Sequence, residues 1–168
     1  EDVTADTGVA GANDAWSTSA AFFDFDHDDD LDLFVTNYVG WSREIDREVD
    51  YRLTGIGRAY GPPTDFSGTH NYLYRNDDGR FVDVTMAAGI AVTQVGSPLA
   101  VGKGLAVLPV DINNDGWLDL AVANDTVRNF LFVNQQDGSF LERGIDYGLA
   151  FDSAGLATGA MGIDAARN

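Results

Sequence analysis

Two short acidic segments of this sequence have the residue types and the spacing of a cation-binding loop. The first is DFDHDDDLD at 24–32 and the second is DINNDGWLD at 111–119. In both segments, side chains that carry oxygen occupy positions 1, 3, 5 and 9, and the backbone carbonyl of position 7 completes the set. Ca²⁺ accepts about six to eight oxygen ligands, whereas Mg²⁺ demands a smaller octahedral site. The pattern therefore predicts two Ca²⁺ sites.

The predicted ligands follow from those positions. At position 6, Gly116 supplies the positive φ that a sharp bend requires, whereas the first segment has Asp29 there. Aspartate tolerates the left-handed region better than most residues, so we expect the first loop to be weakened but not lost. The predicted ligands are Asp24, Asp26, Asp28, Asp32 and the Asp30 carbonyl in the first loop, and Asp111, Asn113, Asp115, Asp119 and the Trp117 carbonyl in the second.

Two other interpretations of these segments compete with the predicted calcium loops. An EF-hand needs a bidentate Glu at position 12, where this chain has Val35 and Val122. The EF-hand interpretation therefore fails. The alternative that stays open is a pair of acidic surface turns that hold no ion. His27 stands at a non-ligand position, and because Ca²⁺ disfavours imidazole we expect it to face solvent.

The acidic loops belong to a longer internal repeat. Each is followed by an apolar alternation, LFVTN at 33–37 and LAVAN at 120–124, and later NYLYRNDDGRFVDV at 71–84 matches NFLFVNQQDGSFLER at 129–143. The periodicity is two, which predicts strands. Four strands are expected in each unit, at about 19–23, 31–37, 71–76 and 80–85, and at about 104–110, 118–124, 129–134 and 139–143.

Four-stranded antiparallel sheets that recur in this way predict an all-β chain of β-propeller-like blades. Two blades do not close a ring, so we expect a fragment of a longer polypeptide or one part of a larger assembly. The predicted propeller fragment fills 1–168: residues 1–12 end a preceding blade, 13–90 form a blade with an insertion at 39–70, 91–149 form a second blade, and 150–168 start a further one.

Composition restricts the partners of the chain. It has 168 residues, a formal net charge of -17 and no cysteine. Such acidity repels nucleic acid and anionic membrane, so neither is an expected partner. Ten Phe, six Tyr and three Trp argue against a disordered acidic tail. No segment is apolar enough to insert in a membrane, no signal peptide is visible, and the start at Glu1 without Met suggests a processed or trimmed end.

The insertion holds four of the ten basic residues and is the expected place for a partner. Ser42 is predicted to cap a helix that continues to about Leu53, with Ile45 and Val49 on one stripe. The insertion is either a lid over its own blade or a contact surface for a protein or glycan. Aromatic and arginine side chains dominate binding hot spots. The candidate anchors are therefore Trp41, Tyr51, Arg58 and Tyr60.

No catalytic arrangement is visible. The only histidines are His27 and His70, there is no Cys nucleophile, and the acids lie in loops whose cation would keep them ionised. His70 is expected to be structural. We therefore predict a binding or structural module, not an enzyme.

These segments together resemble the FG-GAP/VCBS repeat family, in the branch associated with an ASPIC/UnbV domain. The resemblance rests on AAFFDFDHDDDLDLFVTNY at 20–38, the N-x-L-[YF] strands at 71 and 129, GLAVLPVDINNDGWLDLAVAN at 104–124 and GAMGID at 159–164. It implies calcium-stabilised propeller blades in a bacterial protein that is secreted or on the cell surface, with a role in adhesion, ligand binding or scaffolding. The expected function is an extracytoplasmic interaction module. The two alternatives are a carbohydrate-binding or polysaccharide-processing propeller and a purely structural subunit of a larger complex.

Overall fold

The computed structural model describes residues 2–166 and is dominated by antiparallel strands. No helix in this part of the chain is long and apolar enough to cross a membrane. Glu1 and residues 167–168, which end the two predicted terminal fragments, lie outside the described residues. The elements are, in chain order, α1 (Thr4–Thr7), β1 (Ala15–Phe23), β2 (Asp32–Gly40), α2 (Arg43–Val49), β3 (Arg52–Leu53), β4 (Gly57–Arg58), a 3₁₀ turn (Pro63–Asp65), β5 (Tyr72–Asp77), β6 (Arg80–Asp83), β7 (Gly104–Val110), β8 (Asp119–Asn124), β9 (Phe130–Asn134) and β10 (Phe140–Glu142).

Two four-stranded sheets form the body of the protein, in the orders β1-β2-β5-β6 and β7-β8-β9-β10. All neighbouring strands are antiparallel. The prediction of an all-β chain is confirmed, and the eight expected strands are all present. β1 starts earlier than expected, at Ala15, and β2 continues to Gly40.

The main hydrophobic core contains apolar side chains from both sheets. Phe34 of β2 lies beside Phe132 of β9, with ring centroids 6.4 Å apart, and both side chains are fully buried. Phe25, at position 2 of the first acidic loop, packs against Phe140 at 5.9 Å. A smaller cluster on the other face of the second sheet gathers side chains from β7 to β9 and from the last described segment. Apolar burial between the sheets is therefore a main source of stability.

An asparagine pair explains the N-x-L-[YF] motif of both units. The backbone N–H of Asn37, at the end of the apolar alternation, donates to the Asn71 side chain at 3.1 Å, and the N–H of Asn124 donates to Asn129 at 2.9 Å. The amide side chains of Asn37 and Asn124 then donate to the backbone before the next strand, at His70 and at residue 128. Because unpaired buried polar groups are costly, these bonds fix the start of β5 and β9.

A glycine turn packs against the last strand of each sheet. A Cβ atom built at Gly8 would lie 2.8 Å from the carbonyl oxygen of Phe81, and one built at Gly89 would lie 2.6 Å from that of Phe140. Both glycines also have positive φ, which side chains rarely adopt. The third copy of the turn, at Gly148, has positive φ but no atom within 4 Å.

The insertion between β2 and β5 contains α2 and the small hairpin β3-β4. Ser42 caps α2 as predicted, because its side chain accepts the N–H of Ile45 at 3.2 Å. The prediction that the helix continues to Leu53 is wrong. Asp50 adopts the left-handed conformation directly after Val49 and ends the helix, and Leu53 lies in β3. The apolar stripe that suggested a longer helix therefore continues beyond the C-terminal end of α2.

Part of the insertion packs on the sheets. Val39 forms a bridge with Gly68, and the Phe66 side chain is buried. The Lys103 ammonium donates to the Pro63 carbonyl at 2.6 Å, which ties the insertion to the start of the second sheet. A second hydrogen bond, from the Thr69 N–H to the Gly102 carbonyl at 2.9 Å, also joins the insertion to the second unit.

Candidate functional sites

Three carboxylates converge in the first acidic loop. One oxygen each from Asp24, Asp26 and Asp28 lies within 4.8 Å of the other two. Backbone N–H groups hold this arrangement: Asp24 accepts from His27 at 2.7 Å and from Asp29 at 3.2 Å. These are three of the five predicted ligands, and their convergence gives an all-oxygen donor set for a hard cation.

One oxygen of Asp26 also lacks any protein partner. Oδ1 of Asp26 is buried and makes no hydrogen bond within the described part of the chain. Burial raises the pKa of Asp26 above its ordinary value, and the negative charges of Asp28 and Asp24 raise it further. A buried acceptor that faces two like charges is costly unless a cation compensates it. The residues present therefore fit a divalent ion.

The second loop has a closely related arrangement. Asp111 accepts the N–H groups of Asp115 at 3.1 Å and Gly116 at 3.1 Å, which wraps the loop around its side chain. The amide of Asn113 donates to Asp115 at 2.9 Å, so the side chains at positions 3 and 5 lie side by side. Asn113 replaces one carboxylate of the first loop, and this lowers the local repulsion.

The bend at position 6 has the expected backbone conformation in both loops. Gly116 has φ of 90° and Asp29 has φ of 72°. Asp29 thus adopts the left-handed region that we expected aspartate to tolerate. At position 7, the N–H of Trp117 donates to Asp115 at 2.9 Å, and the N–H of Asp30 donates to Asp28 at 2.9 Å. The two predicted carbonyl ligands therefore belong to residues whose N–H groups are fixed identically.

The aspartate at position 9 has a structural role that the sequence did not reveal. Asp119 is fully buried, and its oxygens accept the N–H of Asn134 at 2.8 Å and of Ile112 at 2.9 Å. Asp32, also fully buried, accepts from Asn76 and from Phe25, both at 2.9 Å. Each carboxylate thus joins its loop to the third strand of its sheet, besides any part in binding a cation.

Burial affects the protonation of both position-9 carboxylates. Removal from water raises the pKa of Asp32 to about 6, although its two backbone hydrogen bonds lower it. The pKa of Asp119 is also raised, again mainly by burial. A nearby cation would favour the ionised form and oppose these shifts.

The two loops contact each other through an aromatic stack. The imidazole of His27 lies on the indole of Trp117, with ring centroids 3.7 Å apart and planes inclined by 15°. His27 is exposed, as expected of a non-ligand, but the stack was not foreseen. The Asn134 amide adds a second link, because it donates to the Phe25 carbonyl of the first loop at 2.8 Å. The loops therefore form one connected unit.

A second candidate site is the aromatic cleft, formed by two adjoining cavities of about 780 and 550 Å³ between the insertion and the start of β1. Trp41 and Tyr60 line both cavities, and Arg58 lines the smaller one. Tyr51, the fourth predicted anchor, lines neither. Arg58 forms ion pairs with Asp46 and Asp50, so its guanidinium also fixes the insertion.

Three further aromatic residues, Trp16, Tyr38 and Phe66, line the aromatic cleft and were missed from sequence. Trp16 packs edge-on against Tyr38 at 5.8 Å and against Trp41 at 6.1 Å. Half of the Trp16 surface and 89% of that of Tyr60 remain exposed. The Tyr38 hydroxyl donates to Asp125 at 2.6 Å, and burial with this contact raises the pKa of Tyr38 to about 12. Trp16, Tyr38 and Trp41 thus form one cluster of contacting aromatic rings in the cleft.

The His70 side chain is half-buried beside the asparagine contact. Its Nδ1 is buried and has no hydrogen-bond partner among residues 2–166, and burial lowers its pKa. Its backbone carbonyl accepts from Asn37 at 2.8 Å, in the asparagine arrangement described above. The histidine therefore lies beside a structural contact.

No known protein-family model and no curated protein matches this chain.

Proposed function

We propose that this chain is a calcium-stabilised, non-catalytic interaction module of the FG-GAP/VCBS type. The observation that carries the proposal is the convergence of Asp24, Asp26 and Asp28, together with a buried oxygen of Asp26 that has no protein partner. The related geometry of Asp111 and Asp115 in the second loop supports a second site. The full ligand sets are those predicted from the sequence.

The repeat supports a propeller-like arrangement of blades. Each unit has a four-stranded antiparallel sheet, the main core contains side chains of both sheets, and a glycine turn packs on the last strand of each. These features are those of stacked units that bury their faces on neighbours. The open third turn at Gly148 is compatible with a further unit, in this chain or in another chain of a larger assembly.

An extracytoplasmic location follows from the same proposal. Extracellular calcium modules operate at calcium concentrations near their weak dissociation constants, in the range of about 0.1–1 mM. Loops with predicted ligands exposed at the surface, such as Asp28 and Asp115, suit that range better than a closed, high-affinity cage. We therefore place the protein in the periplasm, on the cell surface or in the medium of a bacterium.

The partner is proposed to be a protein or a glycan that binds the aromatic cleft. Exposed Trp and Tyr rings supply contact area at low entropic cost. A carbohydrate-binding role is the second candidate function, and the exposed rings of Trp16, Trp41 and Tyr60 around one cleft favour it.

Thermal unfolding with and without calcium tests the first proposal. Protein stripped with chelator is melted in EDTA, in 5 mM Mg²⁺ and in a series of Ca²⁺ concentrations. An ion that binds only the folded state stabilises it by about 2.7 kcal/mol for each site at 100 times its dissociation constant. We expect Tm to rise with Ca²⁺ and much less with Mg²⁺. A Tm that does not depend on Ca²⁺ up to 10 mM would refute the proposal.

A further inference from the structure

The aromatic cleft carries positive charge in a strongly acidic protein. The chain has a formal net charge of -17, yet the smaller cavity is lined by three guanidinium groups and one carboxylate. These groups are Arg43, Arg47, Arg58 and Asp46. Asp46 forms an ion pair with Arg58, so these two charges offset each other. An excess of guanidinium groups over carboxylates in this lining indicates a ligand that carries negative charge.

Two of these arginines are available to a ligand. Arg43 and Arg47 are one helical turn apart on α2, both are exposed, and neither forms an ion pair within residues 2–166. Of the acidic residues on the same helix, Asp46 lines both cavities and is paired with Arg58, whereas Glu44 and Glu48 line neither. The helix therefore turns its basic face toward the cleft. Guanidinium groups in such a position match carboxylates in charge and planar geometry.

The rest of the lining offers aromatic rings on which a sugar can stack. Trp16 and Trp41 present partly exposed indoles, and Tyr60 presents an exposed phenol. The C–H faces of a pyranose pack on such rings, while its hydroxyls require polar side chains nearby. Asn13 and Ser42 supply such groups at the rim of the larger cavity. That cavity, at about 780 Å³, is within the range of about 300–1,000 Å³ of small-ligand sites.

We propose that the aromatic cleft binds an acidic oligosaccharide, whose pyranose rings stack on Trp16, Trp41 and Tyr60 and whose uronate carboxylates pair with Arg43 and Arg47. This deepens the second candidate function of the preceding subsection and does not depend on calcium. A neutral oligosaccharide would leave both guanidinium groups without a partner. An acidic peptide would satisfy them but has no pyranose face for the rings.

The test uses a hyaluronan tetrasaccharide, which carries two glucuronates, and fully N-acetylated chitotetraose as its neutral counterpart. A hexaglutamate peptide serves as the acidic non-sugar. Binding is followed by quenching of tryptophan fluorescence and by calorimetry, at low and at physiological salt. The variants are Arg43→Gln/Arg47→Gln and Trp41→Ala, with Arg80→Gln as the matched control, since Arg80 is exposed on β6 and lines neither cavity. Unfolding curves with calcium show whether each variant is folded.

We expect the hyaluronan tetrasaccharide to bind, and the double arginine variant to bind it at least about tenfold more weakly, because charged hydrogen bonds are lost. The Trp41→Ala variant is expected to lose a similar factor, whereas Arg80→Gln stays within about twofold of the unmodified protein. Equal affinity for chitotetraose, preference for hexaglutamate, or no binding of the tetrasaccharide to folded protein would each overturn the proposal. Calcium-dependent melting would persist in all three cases, so the metal proposal stands or falls separately.

Discussion

Replacement of Asp119 by Asn is expected to destabilise the protein even when no calcium is present. The buried carboxylate accepts one N–H at each oxygen, from Ile112 and from Asn134. An asparagine keeps one acceptor and turns an NH₂ group toward the second N–H. One buried donor is then left unsatisfied, which costs about 1–3 kcal/mol, in addition to the lost hydrogen bond.

An opposing effect limits the size of that loss. The pKa of Asp119 is raised by burial, and Asp115 and Asp111 raise it further, so the ionised form is itself costly without a cation. The neutral amide removes this cost. We therefore expect Asp119→Asn to lower the free energy of unfolding in EDTA by about 1–3 kcal/mol rather than by the full sum.

Asp115→Asn is the matched control, because Asp115 is exposed in the same loop. In EDTA this variant should lose less than about 1 kcal/mol, because the hydrogen bonds that Asp115 accepts from Trp117 and Asn113 are exposed to solvent. Both variants should lose the calcium stabilisation of the second loop. Urea unfolding followed by circular dichroism, in EDTA and in saturating Ca²⁺, gives the four free energies. If Asp119→Asn in EDTA matches the unmodified protein, or if Asp115→Asn is equally destabilised, the structural role of position 9 is wrong.

Three further predictions concern the loop contact, the glycine turn and pH. His27→Ala removes the stack on Trp117, so tryptophan emission should shift while the free energy of unfolding falls by less than about 1.5 kcal/mol; unchanged emission would contradict the stack. Gly89→Ala places a Cβ against a backbone carbonyl, so it should lower the free energy of unfolding in urea by at least about 2 kcal/mol. Gly148→Ala has equal backbone strain but open space around the Cβ, so it should lower that free energy by about 1 kcal/mol. Equal losses in the two variants would count against the packing of the turn. The pKa of Asp32, about 6 when folded, exceeds its ordinary value of 3.8, so the folded state binds this proton more tightly. In EDTA, protonated Asp32 therefore adds at most about 3 kcal/mol to the free energy of unfolding. This stabilisation is fully present below pH 4 and is lost as pH rises through 6. Saturating Ca²⁺ should weaken or reverse that trend, and a urea midpoint in EDTA that rises between pH 4.5 and 7 would contradict the sign.

The sequence alone was sufficient to locate the eight strands of the two four-stranded sheets, because period-two alternation and the internal repeat are local signals. It did not predict the hairpin β3-β4, which lies in the insertion outside the repeat. The bends at Gly116 and Asp29 were equally accessible, since residue type restricts φ. The end of α2 could not be predicted from the sequence. Ile45, Val49 and Leu53 keep a helical spacing, and only the left-handed conformation of Asp50 ends the helix before that stripe does.

The missed features depend on distant parts of the chain. The partner of Asp119 is a backbone N–H on β9, and backbone groups leave no trace in residue types. The stack of His27 on Trp117 requires the two sheets to be placed against each other. Trp16 lies in the first residues of β1, before the predicted start of the strand, so its place beside Trp41 was not visible. Local patterns thus predicted elements and ligand sets, whereas contacts between units needed the fold.

Terbium luminescence measures ion binding at the acidic loops most directly. Tb³⁺ replaces Ca²⁺ in oxygen sites, and Trp117, within the second loop, is placed to sensitise its emission. We predict saturation at two ions per chain, displacement by Ca²⁺, and loss of most sensitised emission in Asp111→Asn/Asp115→Asn. Emission that stays at the level of free Tb³⁺, or that is unchanged in this double variant, would contradict the assignment of the acidic loops as calcium sites.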